Sequence, residues 1–214
     1  MLGIKFSGSD KAKKNKLIGL SFDEGPNETN ALEVLKILKE NKTQATFFWI
    51  VEYAKRLHEE NSELFRNILS QIREDGHEIG LHAPYDYIPT LYSRIYGRFN
   101  KEELKLATEE LEKLTNMPIK LFRPHYLLQP YSILKARELG LITVLGDVLN
   151  YSDAAFPVKF QIWRFSSANP GSILIFHDGI CMLRKKTYIT KVLPTVLENL
   201  KKKGLTPTKI SKVL

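Results

Sequence analysis

Short apolar runs alternate with stretches of helical period along almost all of this 214-residue chain, and no other feature limits its fold as strongly. The runs at 17–22, 44–51, 77–82, 119–124, 141–147, 172–178 and 206–210 read as strands. The segments between them carry helix punctuation. Asn30 precedes 31–40, where Leu32, Val34, Leu35, Ile37 and Leu38 make a broad apolar face. Ser62 stands before 63–73, and Gly76 follows that stretch. Asn100 precedes 101–114 with Glu103 placed for a reciprocal cap. Pro130 opens a helix that ends before Gly140, and the last long helix, 190–203, stops at Gly204. Strands joined through helices predict an α/β fold, a parallel sheet with helical crossovers. About seven such units can close into a barrel or lie as an open sheet. The short, wholly apolar strands fit a sheet covered on both faces.

No repeat or low-complexity linker divides the chain, so one domain is expected over 17–214, preceded by a basic segment at 1–16. A hydrophobic share of 43% is enough for a substantial core. No apolar run reaches the ~18 residues of a membrane span, and the N-terminus lacks the apolar stretch of a signal peptide. A cytoplasmic location is therefore the default expectation. The single cysteine, Cys181, excludes a disulfide framework and a multi-cysteine metal site. The net charge of +8 is concentrated at Lys11–Lys16, Arg184–Lys186 and Lys201–Lys203. No basic-aromatic module accompanies it, so a nucleic-acid partner is not expected; the charge leaves a modest attraction to anionic surfaces or polymers open. The 83–99 region, with two prolines and four tyrosines, reads as a long functional loop.

Polar residues gather where the strands end. Strand one runs out in Ser21-Phe22-Asp23-Glu24-Gly25-Pro26, two adjacent carboxylates on a Gly-Pro turn. The third ends in His82, the fourth in Arg123, the fifth in Asp147 and the sixth in His177-Asp178. Taken singly, each has an ordinary structural reading as a turn residue, salt-bridge partner or hydrogen-bonded core group. Five strands delivering ionisable groups to one rim, the rim where α/β sheets bind ligands, point to an active site.

In this order the segments resemble the polysaccharide deacetylase family, the NodB-homology fold of carbohydrate esterase family 4, over residues 17–210. SFDEGP is similar to the family's T-F-D-D-G-P, GHEIGLHAPYD to G-H-E-I-G-N-H-T-x-x-H, FRPHY to F-R-P-P-Y and GSILIFHDG to G-S-I-x-L-x-H-D-G. The resemblance implies a deformed (β/α) barrel that removes acetyl groups from N-acetylated sugars of chitin- or peptidoglycan-like glycans with a divalent metal (Zn, Co or Mn). The partner it implies is a carbohydrate, oligomeric or polymeric. Many members act outside the cytoplasm.

Carried over by position, Asp23 takes the place of the catalytic base and Arg123 that of the group holding it by a charge-assisted hydrogen bond. His177 matches the general acid, Asp147 the carboxylate that orients it, and the Tyr126 backbone N–H an oxyanion donor. The metal ligands implied are Glu24, His82 and Asp86. Here the chain departs from the family, which presents Asp, His and His at those positions. Leu81 and Ala83 replace small polar neighbours of His82, and His125 stands where proline is usual, within reach of the site. GDVLNYSD lacks the family's D-x-x-D-W spacing; Asp153 is either a second carboxylate or part of a simple turn. Tyr85, Tyr87, Tyr92 and Tyr96 stack on sugar rings or pack one face on the surface. Beside the metal-dependent deacetylase stand two rival readings. One is a weak or inactive relative that binds glycan or has a structural role, and the other is an amidohydrolase acting on a small amide.

Overall fold

The computed structural model describes residues 4–88, 90–125, 129–149, 156–180 and 187–214. Their elements follow in the order α1 (Asp10–Lys14), β1 (Leu17–Gly25), α2 (Ala31–Glu40), β2 (Thr46–Ile50), α3 (Val51–Glu60), α4 (Ser62–Glu74) and β3 (Glu78–Ala83). Then come α5 (Leu91–Tyr96), α6 (Lys101–Thr115), β4 (Leu121–Phe122), α7 (Pro130–Glu138), β5 (Ile142–Thr143) and β6 (Val148–Leu149). The chain closes with α8 (Val158–Ser166), β7 (Ile173–His177), α9 (Ile189–Lys202) and β8 (Thr206–Thr208). The pairs are parallel and the sheet order is β5-β4-β3-β2-β1-β7-β6, with β8 added to the first half of β1. This sheet curls into a half-barrel. Helices α8, α9, α2, α4, α3, α6 and α7 follow one another around its outside, each packed on the next.

Local chemistry explains most of these bounds. Asn100 and Glu103 form the reciprocal cap on α6. At α4 the cap is Asn61, whose side chain accepts from Leu64 N–H, and Ser62 is the first helical residue. Helix α3 starts directly at the end of β2 with no side-chain cap, so nothing in the sequence separates it from the strand. Residues 5–14 pack on the base of the barrel: Lys5 bridges Val144, and Ala12 is buried with Ile173, Ile210 and Val213.

The strand expected at 141–147 is cut short to β5, and a second strand, β6, begins just beyond it at Val148. Val144 N–H bonds Phe122 on one edge of the sheet and Asp147 N–H bonds Ile173 near the other. The intervening residues therefore cross the gap between β5 and β6. Gly146 makes that turn with φ 79°, a conformation costly for residues with a side chain.

Strand alternation sorts the side chains. Ile18, Leu20, Phe22, Phe47, Trp49, Ile79, Leu81, Leu174 and Phe176 face the helices in the larger core cluster. The other parity points inward, where Phe48, Leu121, Val144 and Ile173 form a small inner cluster low in the barrel. Above it, the same parity carries Ser21 and Asp23 on β1, His82 on β3, Arg123 just after β4 and His177 on β7.

His77, at the foot of β3, is buried, and its Nδ1 accepts the Ala45 N–H at 3.0 Å. Burial lowers its pKa from 6.5 to about 4. The unfolded chain binds this proton first, so His77 contributes stability that is complete above the unfolded value and drains away as pH falls toward 4. Urea unfolding at about pH 7.5 and pH 5 tests this. His77→Gln keeps an acceptor for Ala45 and should lose about 2 kcal/mol less than wild type over that interval. Equal losses would show that His77 does not set the acid response.

Candidate active site

Arg123 is the anchor. Its side chain, fully buried, reaches across the inside of the barrel from the end of β4 to β1. Nε donates to Val144 O at 2.9 Å, and Nη1 donates to Ser21 Oγ and Asp23 Oδ1, each at 2.7 Å. The guanidinium lies over the Phe48 ring, 4.1 Å from its centroid. That ring fits because Gly80 beside it has no side chain; a Cβ there would come within 2.6 Å of the ring. Burial lowers the Arg123 pKa and the Asp23 charge raises it, the pattern of a desolvated but paired cation.

Asp23 pairs in register with His177 across β1 and β7, so both inward side chains leave the sheet at one level. Glu24 follows Asp23 and by simple alternation would face the helices. It does not, because it holds φ 70° and the register with β2 shifts between Asp23 and Gly25. The bulge turns the second carboxylate to the same rim. A non-glycine residue at positive φ is strained, and such strain collects at functional sites.

His82 and His125 meet over this rim. His82 Nδ1 lies 2.8 Å from Arg123 O, which it can reach only as a donor, and its Nε2 lies 2.9 Å from His125 Nδ1. Ligand atoms of Glu24, His82 and His125 all fall within 4.8 Å of one another, and all three residues are buried. Burial first, and then the His125 ring, push the His82 pKa well below its ordinary value and keep it neutral, as a metal ligand must be. One carboxylate and two imidazoles suit Zn, Co or Mn, so the residues present fit a divalent cation.

Two of the expected site residues are placed differently from what the resemblance implies. Asp86 is not in this convergent set. Its Oδ1 lies 2.9 Å from His125 Nε2, on the ring edge away from His82, and its Oδ2 accepts from Tyr53 OH at 2.6 Å. The His125 ring stands between Asp86 and His82. Asp147 does not orient His177. Its Oδ1 accepts the Ile173 N–H at 2.6 Å and its Oδ2 the Ser172 hydroxyl at 3.1 Å, at the start of β7. His177 is four residues further on, about 13 Å along an extended strand. The turn at Gly146 carries Asp147 to the wrong end for that role. Tyr126 and Asp153 lie outside the described residues, as does the side chain of Tyr96.

Other contributors were less legible. Ser21 is two residues before Asp23 and shares its face by period, which is the only signal for it. Asp178 is buried, and burial followed by the Asp23 and Glu24 charges pushes its carboxyl up to about 7. Its carbonyl accepts from Asn27 and Asn30, so Asn30 ties down the loop after β7 instead of capping α2. Of the loop tyrosines, Tyr87 is buried against Phe99 and His125 behind the site, Tyr85 packs edge-on to Phe99, and Tyr92 is exposed.

With this geometry in view, comparison with known proteins places the chain. The family model described as polysaccharide deacetylase matches residues 10–144, more than half of the chain. A peptidoglycan-N-acetylglucosamine deacetylase of Bacillus cereus is 30% identical over 93% of this chain and 88% of its own length. The peptidoglycan-N-acetylglucosamine deacetylase PgdA of Listeria monocytogenes is 28% identical over 94% of this chain, which spans only 39% of that protein. A solved peptidoglycan N-acetylglucosamine deacetylase, complexed with a naphthalenyl-N-oxidanyl-benzamide, superposes with a TM-score of 0.77 at 24% identity. That match covers 99% of this chain and 92% of the other. The chain belongs to the polysaccharide deacetylase family, and its fold is the NodB-type half-barrel of carbohydrate esterase family 4.

The glycine that closes the H-D-G run has a steric reason. A Cβ on Gly179 would lie 2.0 Å from the Glu24 carbonyl oxygen, so the loop after β7 and the strained turn after β1 are fitted backbone to backbone. Gly179→Ala should destabilise the domain by at least the ~1–3 kcal/mol of ordinary overpacking and weaken metal retention through Glu24. Thermal melts and metal content check this; a variant with wild-type values for both would show that the two turns can part without consequence.

Proposed function

We propose that this chain is a metal-assisted hydrolase that removes acetyl groups from N-acetylated glycans of the peptidoglycan or chito-oligosaccharide kind. The observation that carries the reading is the buried Asp23–Arg123 pair at 2.7 Å, set beside the Glu24, His82 and His125 cluster and in register with His177. Homology to deacetylases over nearly the whole chain supports the same reaction class.

The chain's own groups divide the work. Asp23, fixed by Arg123, is the base that takes a proton from the attacking water. His177 on the neighbouring strand is the acid that returns a proton to the leaving sugar amine. The two residues stand in register on neighbouring strands about 4.8 Å apart. A divalent cation in the Glu24, His82 and His125 cluster would supply Lewis-acid polarisation of the acetyl carbonyl and the water. Zn, Co and Mn all suit its ligands. The Tyr126 N–H is assigned the oxyanion from the motif alone. A cleft of about 430 Å³ bounded by Pro26, Asn27, Tyr53, Arg56 and Ile180 opens beside the rim and offers polar and aromatic groups to a sugar.

Acetate release from chito-oligosaccharides and peptidoglycan fragments, with Zn, Co or Mn supplied, tests the proposal. Asp23→Asn should lower turnover by about 10²- to 10⁴-fold while the protein still binds metal. Acetate release unchanged in Asp23→Asn would remove Asp23 as base. Metal retention without acetate release by wild type would leave a glycan-binding domain in place of an enzyme.

A further inference from the structure

We propose that residues 86 and 125 have exchanged roles: His125 is the third metal ligand, and Asp86 is the carboxylate that positions it. This rests on the metal-assisted reading above, which sets the cation among Glu24, His82 and His125, and goes beyond it by giving Asp86, a ligand in the family's pattern, the task of holding the His125 ring.

Hydrogen bonding assigns each ring. The Arg123 carbonyl can only accept, so His82 carries its proton on Nδ1 and presents a lone pair on Nε2. Asp86 Oδ1 at 2.9 Å holds the His125 proton on Nε2, which leaves the lone pair of Nδ1 facing His82. With both rings neutral, two ring lone pairs meet at 2.9 Å with the Glu24 carboxylate close by. Such a meeting is repulsive unless a cation, or a proton in its absence, lies among them. Imidazoles that bind metals commonly have their outer N–H held by a carboxylate or a carbonyl, and here each ring has one.

Asp86 is built to hold the ring and not to reach past it. Besides His125, its Oδ1 accepts the Tyr87 N–H at 2.8 Å and its Oδ2 the Tyr53 hydroxyl at 2.6 Å. Its side chain is only 3% exposed. The ring of His125 is located in turn by edge contacts with His82 and Tyr87, at centroid distances of 4.7 and 5.7 Å, and its carbonyl accepts from Gln129. A histidine at 86 with His125 retained would crowd two rings into one place, so the two positions are coupled.

Zn²⁺ affinity, measured by competition with a chromophoric chelator, and the visible spectrum of the Co²⁺-loaded protein test the exchange. Wild type should bind one Zn²⁺, and His125→Ala should bind it at least about 100-fold more weakly with an altered Co²⁺ spectrum. Asp86→Asn should weaken binding about 10- to 100-fold with the Co²⁺ spectrum nearly unchanged, because the ligands remain. The Asp86→His/His125→Pro double variant should recover most of the affinity lost in His125→Ala. If His125→Ala does not fold, the near-isosteric Asp86→Asn decides the matter alone by its spectrum. Wild-type affinity in His125→Ala, or a ligand-loss spectrum in Asp86→Asn, would overturn the exchange while leaving a metal-assisted enzyme. Absence of Zn²⁺ and Co²⁺ binding by wild type would overturn that reading itself, and the exchange with it.

Discussion

A single guanidinium ties the interior of this half-barrel together. Arg123 leaves the end of β4, crosses beneath β3 and β2, and ends on Ser21 and Asp23 of β1, with the Phe48 ring under it. A buried cation costs several kcal/mol unless it is paired and hydrogen-bonded. Three acceptors from two parts of the chain, Ser21 and Asp23 on β1 and Val144 after β5, answer that demand, and they can be present together only when the sheet has curled correctly. The Arg123 backbone carbonyl then receives the His82 ring. One residue thus fixes the carboxylate on one side of the site and an imidazole on the other.

Around that anchor, two local departures from regular strand geometry decide which side chains meet. The bulge at Glu24 defeats the rule that neighbouring residues face opposite sides, and so brings two adjacent carboxylates to one rim. The turn at Gly146 has the opposite effect, drawing Asp147 away to the foot of β7. Both are backbone events, and both are packed against β7 or the loop beyond it: Gly146 against Ile175, Glu24 against Gly179. Site composition here follows backbone fit as much as side-chain chemistry.

Much of the fold could be read along the chain, because strand parity and helix caps are local properties. The cap at Asn100, the strands around Asp23, His82 and His177, and the end-of-strand clustering of ionisable groups all rest on residues near one another in sequence. Features that depend on distant partners leave no such local mark. Helix α3 was hidden because it follows β2 without a breaker. The strand at 141–147 looked continuous because its apolar residues serve two different neighbours in turn. Asn30 has the identity of a helix cap, but its amide is spent on the Asp178 carbonyl, a partner 148 positions away.

The sequence by itself determined the fold class, the family and the rim on which the ionisable groups gather, since periodicity and motif order are carried by the chain alone. It also supplied the inward parity of Asp23, His82 and His177. Only the tertiary structure decided which groups gather with Glu24 and His82. Whether residue 86 or residue 125 lies against His82 depends on how the ends of β3 and β4 approach each other. The same motif residues permit either arrangement; the three-dimensional path of the backbone selects one.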